Sequence, residues 1–392
     1  MASRKDSKGH VLKTGESQRK DGTYMYRYTD TRGKRQSVYA PNLLKLRDKE
    51  KTIQIDLNDG IDYAAGNTTV FELVQRYFSL KNGLKKSTAQ LYEQNIKAIS
   101  GYDFVFKKIK DVKPSDAKQF VIDIHNDGKK TSTVRSMLNV VIPAFDMACD
   151  DDIIRKNPFN FSISEVLPND KSERIPLTQS QQESLLKFVK ETKRWSKYYD
   201  MINVMLGTGV RVSEYCGLTV DDIDFENRRI FVNKQQMYLN DNTMHIEKPK
   251  TEHGIRYIPI TNTIYQSLKN LVERSQNNNR IHIVDGYHGF IALKPNGNML
   301  LRTDINNALK HLKYAYNDEH PTTPIKRLTP HILRHTFCTN MVNAGMDIKS
   351  LQYLMGHANA SITLNVYAHS SYDNASAQMF TLIDGGKYQV AM

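Results

Sequence analysis

Thr208-Gly209-Val210-Arg211-Val212-Ser213-Glu214 is the stretch on which the reading of this chain turns. A Gly-Thr-Gly break gives way to Arg211, and a helix carrying Val212, Tyr215 and Leu218 is predicted to follow. A guanidinium placed there can grip two phosphate oxygens at once and stays charged at any working pH. Glu214, three residues on, shares the helix face with Arg211 and could orient it. By itself the pair also reads as an ordinary surface ion pair.

Working outward, polar residues recur through the second half of the chain. His331-Ile332-Leu333-Arg334-His335-Thr336 places His331 and Arg334 three apart on one helix face, behind Pro330, a good first-turn residue. Gly356-His357 closes the apolar run Leu351-Gln352-Tyr353-Leu354-Met355, and Tyr367 follows ten residues later. Lys250, in Pro249-Lys250-Thr251, is set in a predicted hairpin turn with Lys248 two residues away. Cutting a DNA strand without a metal requires a nucleophile, positive charge on the non-bridging oxygens, a proton for the leaving oxygen and a sink for the nucleophile's proton. Two arginines, two histidines, a lysine and a tyrosine can supply all four. A phenol has a pKa of about 10, so a crowd of cations is needed to favour its attack. No carboxylate cluster with magnesium spacing stands out, and neither a metal nor a cofactor is expected. Each signal is weak singly; their order along one segment gives them force.

The rest of the chain fits that partner. It has 392 residues and a formal net charge of +13, which suggests two or three domains and a polyanion partner. Cys149, Cys216 and Cys338 are scattered and form no Cys-x-x-Cys pair, so a reduced, cytoplasmic protein without a zinc site is expected. No secretory signal and no membrane span is evident. Within residues 1–40, ten Lys and Arg stand against four Asp and Glu. Asp21-Gly22 is a hairpin signal, and Tyr24, Tyr26 and Tyr28 alternate with Met25 and Arg27. A second turn at Thr31-Arg32-Gly33 and a helix over 42–58 complete a predicted three-stranded sheet plus helix. Its tyrosines are expected to pack on the helix while Arg19, Lys20, Arg27 and Arg35 meet DNA. Residues 67–165 read as four helices, opened by a capping box Thr69-x-x-Glu72, by Ser87, by Pro114-Ser115-Asp116 and by Thr131. Lys85, Lys86, Lys129, Lys130 and Arg135, at helix starts and loops, are candidate phosphate contacts. Beyond a polar linker, the strand-like runs 229–232, 245–248 and 255–260 are set among helices, the last two joined by a turn around Thr251-Glu252-His253-Gly254. The expected class is a multidomain, mainly α protein with small antiparallel sheets (α+β), cut into 1–66, 67–165 and 172–392.

These motifs resemble the tyrosine recombinases, or phage-type integrases, and the resemblance covers nearly the whole chain. Leu12–Gly22, Arg334–Asn340 and Met355–Asn359 are similar to integrases of Gram-positive conjugative transposons. The resemblance implies an arm-type DNA-binding domain, a SAM-like helical core-binding domain and a mixed α/β catalytic domain. It puts the family's two catalytic arginines on Arg211 and Arg334, its lysine on Lys250, its histidines on His331 and His357 and its nucleophile on Tyr367, with Tyr372 a distant rival. It implies strand exchange through a 3′-phosphotyrosine and a Holliday junction, without ATP. The implied partners are double-stranded DNA at element ends and target site, a homotetramer on that DNA, and an accessory bending or directionality factor, in a bacterial cytoplasm and on the nucleoid when bound. The apolar tail Met379, Phe380, Leu382 and Ile383 is expected to dock on a neighbouring protomer. A type IB topoisomerase, a chromosome-dimer resolvase and a non-catalytic architectural protein are the competing readings; the basic N-terminal module and the presence of all six residues favour recombination.

Overall fold

Three tyrosines spaced two apart decide the first sheet. Tyr24, Tyr26 and Tyr28 all fall on the buried face of strand β2 (Tyr24–Thr29), as strict alternation requires. Strand β1 (Glu16–Gln18) and strand β3 (Arg35–Ala40) pair antiparallel on either side of it, in the order β1-β2-β3. The tyrosines pack on Leu46 and Ile53 of helix α1 (Leu43–Asn58). The turn at Asp21-Gly22 forms as the sequence implies, with Gly22 at positive φ and its amide donating to Arg19. Arg27 and Arg35 are exposed on the opposite face.

The computed structural model describes residues 4–30, 33–58, 65–170, 174–239, 243–249 and 251–359, and the chain divides after residue 172 into two compact units. The first unit continues with helices α2 (Val70–Ser79), α3 (Lys86–Ile99), α4 (Pro114–Asn126) and α5 (Thr131–Asp150). The Thr69–Glu72 capping box is made in both directions. Ala117, Phe120, Val121 and Ile124 of α4 and Val134, Met137, Leu138, Val141 and Phe145 of α5 share one apolar core. On α3, Ile96 and Ile99 are buried while Leu91 is 44% exposed.

Among its described residues the second unit is helical around two small sheets. Its helices are α6 (Gln179–Glu191), α7 (Tyr199–Thr208), α8 (Val212–Gly217), α9 (Asn262–Gln276), α10 (Arg302–Glu319), α11 (Pro330–Asn343) and α12 (Ile348–Met355). Strands β4 (Ile223–Asp224), β5 (Arg229–Val232) and β8 (Arg256–Pro259) form one sheet, and β6 (Gln235–Tyr238) pairs with β7 (Met244–Glu247) in another. This corrects the expected hairpin. The segment 245–248 does not pair with 255–260 across the 251–254 turn; it pairs with Gln235–Tyr238, a strand the sequence reading omitted. The segment 255–260 pairs with Arg229–Val232. The polar, glutamine-rich Gln235–Tyr238 carries little period-two signal, so its strand character comes from the partner and not from its own pattern.

α7 ends on Gly209, whose φ of +64° is left-handed and whose α-hydrogen side faces the Phe337 ring. An added Cβ there would lie 2.4 Å from Phe337 Cδ1. Gly209→Ala is therefore expected to destabilise the second unit by roughly 2–4 kcal/mol, from left-handed backbone strain plus overpacking. The only tryptophan in the sequence, Trp195, is buried in this unit, so its fluorescence in a denaturant titration of the full chain reports the change. A loss below about 0.5 kcal/mol, the range of a neutral surface substitution, would contradict this packing.

Candidate active site

The site is built on helix ends. Only Gly209, Val210 and Arg211 separate α7 from α8, and Arg211 is the N-cap of α8. Its main-chain amide donates to Glu214 Oε2 at 2.9 Å and its Nη1 to Glu214 Oε1 at 2.6 Å. The pairing read from the i, i+3 spacing is thus made, but not as a surface pair: Glu214 is 1% exposed. What buries it is a residue the sequence reading passed over. Arg256, on β8, donates to both Glu214 oxygens, Nη2 to Oε2 at 2.9 Å and Nη1 to Oε1 at 3.2 Å. The available signal was alternation: Arg256 shares the inward face of β8 with Ile258, and an arginine on a buried strand face needs a buried acceptor.

The second support is the C-terminus of α12. A helix leaves its last carbonyls unpaired, and α12 stops at Gly356 in a left-handed conformation. Three consecutive carbonyls there each accept from a different arginine. Leu354 O takes Arg256 Nε at 2.6 Å, Met355 O takes Arg334 Nη2, and Gly356 O takes Arg211 Nη2 at 2.8 Å. Arg334 also donates Nη1 to Gly209 O at 2.6 Å, at the end of α7. The negative ends of two helices therefore fix three cations.

Three guanidinium groups meet here, and among the described residues Glu214 is the carboxylate they share. Burial pushes the Glu214 pKa up, but Arg256, Arg211 and Arg334 outweigh it and the net shift is downward. Burial, then the Arg211 charge, lowers Arg334 to about 9, still charged at neutral pH. The cluster carries excess positive charge in a poorly solvated place. That arrangement attracts an anion strongly.

His357 follows Gly356, is mostly buried, and its amide donates to Gln352 O at 3.2 Å. Burial, then Arg334, Arg211 and Arg256, pull its imidazole down to about 4. His331 sits one turn before Arg334 on α11 with its outer face exposed. Partial burial of the imidazole, then the charges of Arg174, Arg334 and Arg211, lower its pKa. The structure thus brings Arg211, Glu214, Arg334 and His357 into one cluster. Lys250, Tyr367, Tyr372 and the apolar tail lie outside the described residues, although Pro249 and Thr251 flank the lysine. Arg19, Lys20, Arg27, Arg35, Lys85, Lys86, Lys129, Lys130 and Arg135 are all exposed. They belong to the first unit.

Residues 176–374 match the phage integrase family, and residues 1–57 match the DNA binding domain of Tn916 integrase. The chain belongs to the phage integrase family and is a tyrosine site-specific recombinase. It is similar to the transposase from transposon Tn1545 of Streptococcus agalactiae, 38% identical over 389 residues and covering 96% of each chain. The transposase from transposon Tn916 of Enterococcus faecalis matches to the same extent, at 38% over 389 residues. A solved structure of the Tn1549 transposon integrase in complex with transposon right end DNA superposes with a TM-score of 0.75 at 38% identity, covering 80% of this chain and 99% of that one. A λ integrase dimer bound to a core site shares the fold, with a TM-score of 0.55 at 16% identity over 100% of this chain and 99% of that one.

The His357 shift has a measurable sign. Its imidazole is neutral in the folded chain down to about pH 4, whereas the ordinary value is 6.5. The unfolded chain takes up the proton first, so this contribution is complete above pH 6.5 and declines as pH falls toward 4. His357→Gln is expected to flatten the fall in stability across that window, followed by Trp195 fluorescence. An unchanged slope would show that His357 is not held neutral by its surroundings.

Proposed function

We propose that this chain integrates and excises a mobile element of the conjugative-transposon kind. Tyr367 attacks the scissile phosphodiester and remains joined to the 3′ phosphate, while the 5′ hydroxyl is released. Arg211 and Arg334 bind the non-bridging oxygens, Lys250 protonates the departing 5′ oxygen, and His331 and His357 contact the phosphate and the nucleophile's proton. Each covalent bond stores the energy of the one it replaced, so rejoining to a new 5′ hydroxyl requires no ATP. The observation that carries this reading is the arginine cluster: two guanidinium groups bonded to one carboxylate with a third, that of Arg334, fixed beside them on Gly209 O, all three oriented by helix-end carbonyls. A site of that charge and rigidity suits a phosphodiester whose negative charge grows in the transition state.

DNA as the substrate is supported from several sides. A relative of 38% identity was solved on transposon right end DNA, and another form of it in complex with a circular intermediate DNA. We assign residues 1–66 to arm-site binding, 67–165 to core-site binding and 172–392 to catalysis. The exposed Arg27 and Arg35 face of the first sheet is opposite its buried tyrosines. Arg19 stacks on Tyr39 of the same face at 5.3 Å. On the helical module, α3 begins at Lys85-Lys86 with no side-chain cap bond from its N-cap residue, which favours phosphate contacts there, whereas the first amide of α5, beside Lys130, donates to the Asp170 carboxylate. Strand exchange between two sites calls for four protomers, as in the λ integrase tetramer bound to a Holliday junction, and an accessory factor sets direction. The reaction belongs in a bacterial cytoplasm, on nucleoid DNA. Among the described residues no helix is long and apolar enough to cross a membrane.

A nicked suicide duplex carrying the element end tests the assignment. Wild type is expected to give a protein–DNA band that survives denaturation. Tyr367→Phe is expected to give none, while binding DNA within about twofold and still joining two duplexes with four protomers on a native gel. A covalent band from Tyr367→Phe would move the nucleophile elsewhere, Tyr372 first.

A further inference from the structure

Arg256 has no role in the reaction as set out above, yet it is the largest fully buried side chain among the described residues. Its guanidinium makes four hydrogen bonds to three elements. It donates to both oxygens of Glu214, to Gly254 O at 3.0 Å in the turn that follows Lys250, and to Leu354 O at 2.6 Å near the end of α12. Glu214 is consequently held from both sides. Each of its oxygens lies between one nitrogen of Arg211 and one of Arg256. A carboxylate gripped by one arginine can pivot; one gripped along both edges cannot.

Two further observations show that the site is fitted to this residue. Gly356, immediately before His357, approaches Arg256 so closely that an added Cβ would meet its Nη1 at 3.0 Å and His253 O at 3.1 Å. The cluster also places Arg256 beside two other guanidinium groups, which repel it. A buried ion pair of this kind is a poor way to gain stability, since apolar replacements of similar volume are often neutral or better. Its distinctive property is geometric: the planar fork fixes several acceptors at once.

We propose that Arg256 is a positioning residue for strand cleavage. It acts through Glu214 on the orientation of Arg211, and its bonds to Gly254 O and Leu354 O hold its own guanidinium in place for that task. This rests on the reading that Arg211 grips the scissile phosphate. Lysine at this position keeps the charge and loses the fork.

The test is a cycle of Arg256→Lys, Glu214→Gln and their combination in the full chain, with single-turnover adduct formation at saturating protein on the nicked element-end duplex. Arg256→Lys is expected to bind that duplex within about twofold of wild type and to form adduct at least about tenfold more slowly, the scale of a small misplacement of reacting groups. Because both substitutions break the same forked Arg256–Glu214 pair, adding Arg256→Lys to Glu214→Gln is expected to slow the reaction by less than about twofold more. Arg256→Lys that cleaves at the wild-type rate overturns the proposal, as does a full tenfold effect in the Glu214→Gln background. Trp195 fluorescence checks folding; should Arg256→Lys not fold, Arg256→Gln combined with Glu214→Gln, which removes both buried charges, completes the same cycle. Absence of adduct from wild type itself would instead fault the cleavage reading on which the proposal stands.

Discussion

A helix that stops on a left-handed glycine leaves its last carbonyls without intrahelical partners. In this chain Leu354, Met355 and Gly356 present three such carbonyls in succession, and each is taken by a different arginine. The arginines come from distant parts of the sequence: the start of α8, the strand β8 and the interior of α11. Glu214 ties two of them together from the other side. Remove the helix end or the carboxylate and the guanidinium groups would repel one another; with both in place they are held close enough to enclose one anion. The low pKa of His357 follows from the same crowding of positive charge.

The rest of the second unit can be understood as the frame for that junction. Gly209 turns left-handed so that α7 can end and offer its carbonyl to Arg334. Thr336, two residues after Arg334, bonds back to Ile332 O and accepts from the Leu177 amide, which fixes the entry to α6 against α11. Asp222 and Lys234 form a separate buried pair at 2.5 Å, and Asp222 also accepts from the Thr219 amide and hydroxyl. That pair holds the segment between β5 and β6 and stands apart from the arginines in its hydrogen bonding.

Much of this was readable in the sequence, and the exceptions have physical causes. Alternating tyrosines gave the first sheet its inward face, and Thr69–Glu72 and Pro114 marked helix starts because first-turn chemistry is local; Thr131 also falls at the start of α5, but its amide and hydroxyl bond the distant Asp170 and Pro168 and do not cap the helix. The spacing of Arg211 to Glu214 and of His331 to Arg334 was legible for the same reason: helical neighbours are near in sequence. Arg256 was not legible, because its partners Glu214 and Leu354 are separated from it by 42 and 98 residues. Pairing of 245–248 with Gln235–Tyr238 in place of 255–260 was missed likewise: strand pairing is a tertiary choice, and a turn signal at 251–254 names no partner. The similarity to transposon integrases over 96% of the chain and the arginine geometry are independent lines that lead to one chemistry.

The central claim is that the arginine cluster exists to neutralise the scissile phosphate. It is tested most directly by removing the charge from the substrate instead of from the protein. Wild type and Arg211→Ala would be compared on two suicide duplexes, one with an ordinary scissile phosphate and one with a neutral methylphosphonate at that position. If Arg211 serves the phosphate charge, its removal is expected to slow cleavage of the ordinary linkage by about a hundredfold or more, on the scale of losing one oxyanion donor, and to matter much less on the neutral linkage. An equal loss on both linkages would contradict the account and make Arg211 a structural residue of the α12 junction alone.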